Sequence, residues 1–155
     1  MFFTTLDYIC DRCILPDFCA DTKESALRLL SEHAARIHEA LDSEEIFQIL
    51  LEREKLGSTG IGHGLAIPHG KLAGLQRMLV IVARSRDGVP FDAIDKRHVH
   101  IIFLLMAPGD AATAYLKVLA RVSRLLKKPG VYEAMMEAES AEAIARIIER
   151  EDVRI

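Results

Sequence analysis

The sequence predicts an α/β fold, a three-layer sandwich with a small sheet between helical layers. Two observations predict it. The apolar runs Leu79–Ala83 and Val99–Met106 have strand length, and the near-continuous hydrophobicity of Val99–Met106 marks a strand buried on both faces. Stretches with apolar residues at helical spacing stand before and after those runs, giving the order helix, helix, strands, helix, helices. At 155 residues, 50% apolar and 28% charged, the chain fits one domain over 1–155 with a core of its own. It has no internal repeat, low-complexity stretch or linker.

Residues 1–20 read as irregular, with a short helix near Leu6–Arg12 and a strand around Ile14–Phe18. Asp21-Thr22 offers an N-cap for a helix over Glu24–Leu41, whose apolar positions Ala26, Leu29, Leu30, Ala34, Ile37 and Leu41 share one face. Asp42-Ser43 caps a second helix that runs to about Lys55, with Glu44 and Glu45 in its first turn to complement the helix dipole. Residues 57–64 form a glycine loop. Leu65–Ile67 is a short strand ended by Pro68. Arg86–Pro90 is a turn between the two long strands. Pro108-Gly109-Asp110 opens a long helix over Ala111–Leu126, which Pro129-Gly130 ends. Two short helices follow, Val131–Ala138 and Ser140–Arg150.

Net charge is −3, and the longest basic run is Lys127-Lys128, so the chain has no electrostatic footprint for nucleic acid. No apolar run approaches the roughly 20 residues of a membrane span. The N-terminus lacks the basic and apolar regions of a signal peptide, so the expected compartment is the cytoplasm. Cys10, Cys13 and Cys19 form an odd set that excludes complete disulfide pairing. All three are expected to be reduced, with Cys10-Asp-Arg-Cys13 at a position unlike that of a redox motif.

Chemistry concentrates in residues 53–72. Five of the nine glycines, Gly57, Gly60, Gly62, Gly64 and Gly70, fall within that stretch around His63, Ser58, Thr59 and a Pro68-His69 pair. Glycine serves where backbone turns with φ > 0 or where another group must approach closely. Pro68 stiffens the segment that carries His69. An uncharged imidazole can attack an electrophile with one nitrogen while a hydrogen bond fixes the other. Arg53 can bind phosphoryl oxygens as a fork, and Ser58, Thr59 and the glycine N–H groups offer further donors. These parts suit a phosphoryl group on His69, although composition alone leaves a glycine-rich turn with a solvent-facing histidine open. The loop has no Walker A pattern. A metal site built from His63, His69, His98 and His100 lacks flanking carboxylates at a recognisable spacing, so no metal, nucleotide or other cofactor is expected.

The run from Arg53 to Leu72 closely resembles the active-site signature of the bacterial phosphotransferase-system IIA domains of the fructose/mannitol type, nearest to their nitrogen-regulatory branch. Phe91-Asp-Ala-Ile-Asp95 resembles that branch too, and the likeness extends over about residues 4–150. It implies a mixed, mostly parallel sheet of about five strands with helices on both faces. It implies that His69 accepts a phosphoryl group, on its outer ring nitrogen, from the phosphohistidine of a small carrier protein. Arg53 and Thr59 then match the family's phosphate-facing arginine and nearby hydroxyl, and Ser58, Gly60, His63, Gly70 and Tyr115 are further candidate supports. The same resemblance implies that the phosphorylation state regulates target proteins, ion transporters or sensor kinases among them. A sugar-specific component handing phosphate to a permease, and a binding module without phosphotransfer, are the alternatives. A two-fold homodimer is the default if the chain assembles. The sequence departs from the family twice: His63 stands where asparagine is common, and Tyr115, with Lys117 two residues on, stands where a second active-site histidine is common.

Overall fold

The computed structural model describes residue 9, residues 12–110 and residues 112–152. Its elements run β1 (Ile14–Leu15), α1 (Lys23–Ile37), α2 (Ser43–Lys55), β2 (Gly60–Gly62), β3 (Leu65–Ala66), β4 (His69–Leu72), β5 (Leu79–Val89), β6 (Val99–Pro108), α3 (Ala112–Lys127), α4 (Val131–Glu137) and α5 (Ala141–Asp152). The helix expected near Leu6–Arg12 falls almost wholly outside the described residues.

The strand order is β1-β5-β6-β3-β2, and β4 pairs β6 beyond β3. β1 with β5, β3 with β6 and β4 with β6 are parallel, whereas β2 with β3 and the long central pair β5 with β6 are antiparallel. The sheet is therefore mixed, with six strands where about five were expected.

Alternation along β5 and β6 divides the core in two. Leu79, Ile81, Ala83, Ile102, Leu104 and Met106 pack with α1 and α2 residues such as Leu27, Leu30, Phe47 and Leu50. Val80, Val82, Ile101, Phe103 and Leu105 pack with α3, α4 and α5 through residues such as Val118, Val122, Met135 and Ile148. Both long strands are buried on both faces through most of their length, as the composition of β6 predicts.

Local chemistry sets the helix starts. Thr22 is the N-cap of α1, and its hydroxyl accepts from the Ser25 N–H at 3.0 Å while the Ser25 hydroxyl accepts from the Thr22 N–H at 3.1 Å. Asp42 caps α2 through the Glu44 N–H at 3.1 Å. α1 ends at Ile37, short of the expected Leu41, because His38–Leu41 turns the chain back into the extended Asp42 cap.

Four further expectations are corrected. The loop 57–64 contains a strand, β2, which pairs with β3 across a bulge. The chain after Pro68 is also a strand, β4. Residues 86–89 continue β5 instead of forming a turn, since a register shift between Arg84 and Val89 and a positive φ at Gly88 absorb the extra residues. Cys19 is free, but buried Cys13 is disulfide-bonded, because an odd count excludes a complete set of bridges and not a single one.

Candidate functional site

His69 opens β4 in register with Leu105 of β6, and α2 packs against that strand. Gly70 makes the packing possible: a Cβ there would stand 2.5 Å from Ile49 Cγ2 of α2. The imidazole is thus reached from α2 on one side and from α3 on the other.

Its two nitrogens have different partners. Nδ1 lies 2.7 Å from the Ile67 carbonyl oxygen. A carbonyl only accepts, so Nδ1 carries the proton and Nε2 keeps its lone pair. Arg53 Nε donates to Nε2 at 3.2 Å, and Arg53 Nη1 donates to the Gly57 carbonyl at 2.9 Å. Burial holds the His69 pKa below its ordinary value; the Arg53 charge adds to this, and the Ile67 hydrogen bond and Glu54 act against it. The result is a neutral, half-buried imidazole with one oriented lone pair beside a guanidinium.

Tyr115 of α3 closes the other side. Its ring centroid is 5.8 Å from that of His69, tilted by 54°, and burial raises the phenol pKa. Lys71 Nζ lies 5.6 Å from the Tyr115 ring. His69 and Lys71 are two apart on β4 and so share a face. The lysine beside Tyr115 is therefore Lys71, while Lys117 is exposed on α3. Sequence reasoning missed Lys71 because it read no strand after Pro68; given that strand, His-x-Lys on one face was the available signal.

The remaining expected residues act differently. Ser58 donates to the Phe91 carbonyl at 3.0 Å and accepts from the Gly60 N–H at 3.0 Å. Gly60 is steric, since a Cβ would meet Ala93 Cβ at 2.9 Å. The Thr59 N–H goes to both oxygens of buried Glu54, at 3.2 and 2.9 Å, and Lys23 balances that carboxylate at 3.3 Å. The His63 N–H goes to Asp95 Oδ2 at 2.9 Å. The Thr59, Gly60 and His63 amides therefore already have protein partners, so these three are not free donors for an anion. Thr59 does hold the residue that orients the imidazole: its carbonyl accepts from Ile67 N at 3.0 Å, and its hydroxyl is buried without a hydrogen-bond partner among the described residues. His63 does not. It precedes β3, whose Leu65 is in register with Ile101, four residues along β6 from the partner of His69, or roughly 13 Å.

A histidine with an oriented lone pair, an arginine fork and a close protein wall can take a phosphoryl group. A family model described as "Phosphoenolpyruvate-dependent sugar phosphotransferase system, EIIA 2" matches residues 8–151. The chain belongs to the EIIA 2 family. This EIIA 2 domain is 36% identical over 142 residues to a nitrogen regulatory protein of Bradyrhizobium diazoefficiens, covering 92% of each chain. It is 33% identical over 127 residues to a fructose-specific EIIA component of Haloferax volcanii, covering 82% of each. The nitrogen regulatory protein IIA-Ntr of Neisseria meningitidis superposes with a TM-score of 0.86 at 32% identity, over 92% of this chain and 97% of that one. IIA mannitol of Escherichia coli shares the fold, with a TM-score of 0.75 at 22% identity over 90% and 97%. As an EIIA 2 domain, the chain is a component of a phosphotransferase relay. Among the described residues no helix is long and apolar enough to cross a membrane.

Proposed function

We propose that this chain, a single EIIA 2 domain over 1–155, is a cytoplasmic phosphoryl carrier of the nitrogen-regulatory kind. His69 Nε2 takes the phosphoryl group from the phosphohistidine of a small carrier protein, and the phosphorylation state regulates target proteins. The observation that carries this reading is the fixed tautomer: Nδ1–H held by the Ile67 carbonyl, and the Nε2 lone pair turned to Arg53. In the transfer the donor's N–P bond breaks as the Nε2–P bond forms, nearly in line. Arg53 then exchanges its contact with Nε2 for phosphoryl oxygens, which it can bind as a fork. Lys71 adds positive charge beside Tyr115. Leu56, 85% exposed just past α2, and Leu116, 62% exposed on α3, are large apolar side chains on the two helices that flank His69, suited to contact with a protein donor.

The test is incubation of the chain with phosphoenolpyruvate, enzyme I and the carrier protein, followed by intact mass. A gain of one phosphoryl group supports the reading, and an unchanged mass overturns it. The fructose-specific relative supports a second reading, a sugar-specific component. Phosphoryl passage from this chain into fructose through a permease would favour that reading over regulation.

Two results follow from the geometry. Arg53→Ala keeps its fold, because Arg53 is a partly exposed helix-end residue, and slows phosphoryl uptake by about 10²–10³-fold, the range seen when one preorganised charge-stabilising donor is removed. Stopped-time mass spectrometry checks this, and Arg53→Lys recovers only part of the rate because it lacks the fork. The second result concerns pH. His69 stays neutral to lower pH than an ordinary imidazole, so its ring titrates by NMR below about 6.5. Since its folded pKa is lowered, its contribution to stability is whole above the unfolded value and is lost as pH falls through the folded one.

A further inference from the structure

We propose that the end of the sheet away from His69 carries a binding site for a small metabolite bearing a carboxylate or phosphate group. A cavity of about 450 Å³ opens there between the start of β3, the start of β6 and the α3–α4 corner. Its polar lining is His63, Arg97, His98, His100, Tyr132 and Glu133, and Leu65 and Leu126 supply an apolar side. That volume lies within the range of small-ligand sites, and a few convergent polar groups over apolar walls is their usual make-up.

The lining is rich in donors with few hydrogen-bond partners. Among the described residues, the His63 and His98 imidazoles and the Tyr132 hydroxyl have no hydrogen bond, and the Arg97 guanidinium has none either, its charge acting on neighbouring Asp95. His100 is fixed by its Nδ1–H, which donates to the Ser85 carbonyl at 2.9 Å, so Nε2 is left over. The lining holds one carboxylate, Glu133, against one guanidinium and three imidazoles, and Asp95 beside it acts on Arg97 as well. Arg97 presents the fork that matches carboxylate and phosphate oxygens. The same set does not suit a metal ion: among the described residues no three His, Cys, Asp or Glu side chains converge on one.

The walls are also held in place. Asp95 accepts from the His63 N–H at 2.9 Å and from the Arg97 N–H at 3.1 Å, tying two lining segments to one carboxylate. The Gly64 carbonyl takes the N–H groups of both His100 and Ile101, at 2.8 and 3.1 Å. His63 adopts φ 57°, a conformation costly for a residue with a Cβ, and neighbouring Lys96 adopts φ 63°. Gly64, at φ 78°, lets Tyr132 close the wall, where a Cβ would meet its hydroxyl at 2.8 Å. Backbone strain maintained around a cavity whose donors have spare hydrogen-bonding capacity is the arrangement of a preorganised site.

Calorimetric titration of the full chain, first with inorganic phosphate and separately with citrate, tests the proposal. Saturable one-to-one binding of either anion is expected, and the tighter one identifies whether phosphate or carboxylate chemistry is recognised. Arg97→Ala, an exposed substitution, should weaken that binding at least about tenfold, and Arg53→Ala should leave it as in the parent chain. Amide NMR shifts should concentrate at Gly64 and His100 and spare Gly70. Absence of saturable binding by both anions, or an unaffected Arg97→Ala, overturns the proposal. Loss in Arg53→Ala with shifts at Gly70 also overturns it, because the anion would then sit beside His69.

Discussion

His69→Ala is expected to remain at the mass of the unmodified chain after full incubation with phosphoenolpyruvate, enzyme I and the carrier protein. The loss should be complete and not partial, because the imidazole is the acceptor atom's only source at this site. The other ring beside it belongs to Tyr115, whose buried phenol has its pKa raised and so holds its proton more firmly than usual. His63 lies roughly four β6 residues away and has no oriented contact with Arg53. The substitution removes a half-buried ring at the start of an edge strand and leaves the Gly70–Ile49 packing in place, so a melting curve close to the parent's should accompany the loss. A His69→Ala chain that still gains one phosphoryl group would move the acceptor to another histidine and sink the assignment of Nε2.

The part of the site legible in the sequence is the part built from near neighbours. Arg53 and His69 stand at the two ends of one loop, and Pro68 and Gly70 announced that the histidine is held and closely approached. What the loop does with its own amides was not legible. Glu54, Asp95 and the Ser58–Phe91 contact claim those N–H and hydroxyl groups, and two of the three partners depend on the 91–95 segment folding back onto the loop. Lys71 was hidden for a different reason. In sequence a proline marks a strand stop, whereas the parallel pairing of His69–Leu72 with β6 restarts the strand directly after it. The glycine at position 88 misled in the same direction, since a positive φ inside a bulge looks in sequence like a turn. The layer order was readable throughout, because it rests on apolar period alone, and long apolar strands can be covered in few ways.

Arg84→Met is expected to cost the most stability of any single substitution outside the site. Nothing about Arg84 in the sequence distinguishes it from the charged residues that follow, yet its side chain is fully buried at the point where β5 departs from regular pairing. Its Nε donates to the Pro16 carbonyl at 2.8 Å. Its Nη1 donates to the carbonyls of Met135, Met136 and Ala138 at 2.8, 3.2 and 2.6 Å. One guanidinium thereby joins the segment after β1 to the last turn of α4, where the helix dipole favours a cation. Burial lowers its pKa without neutralising it, and Asp17 supports the charge. Methionine fills much of the volume, so the change mainly leaves acceptors unpaired in the interior. Buried carbonyls without partners and the loss of charge-assisted hydrogen bonds together come to about 3–5 kcal/mol. For a chain of this length that lowers Tm by about 6–20 °C. Arg84→Lys should recover only a fraction, because an ammonium cannot span the Pro16 and Ala138 carbonyls at once. Denaturant melts of the two variants check the order. A Met variant within about 1 kcal/mol of the parent would mean that α4 finds other partners for its terminal carbonyls.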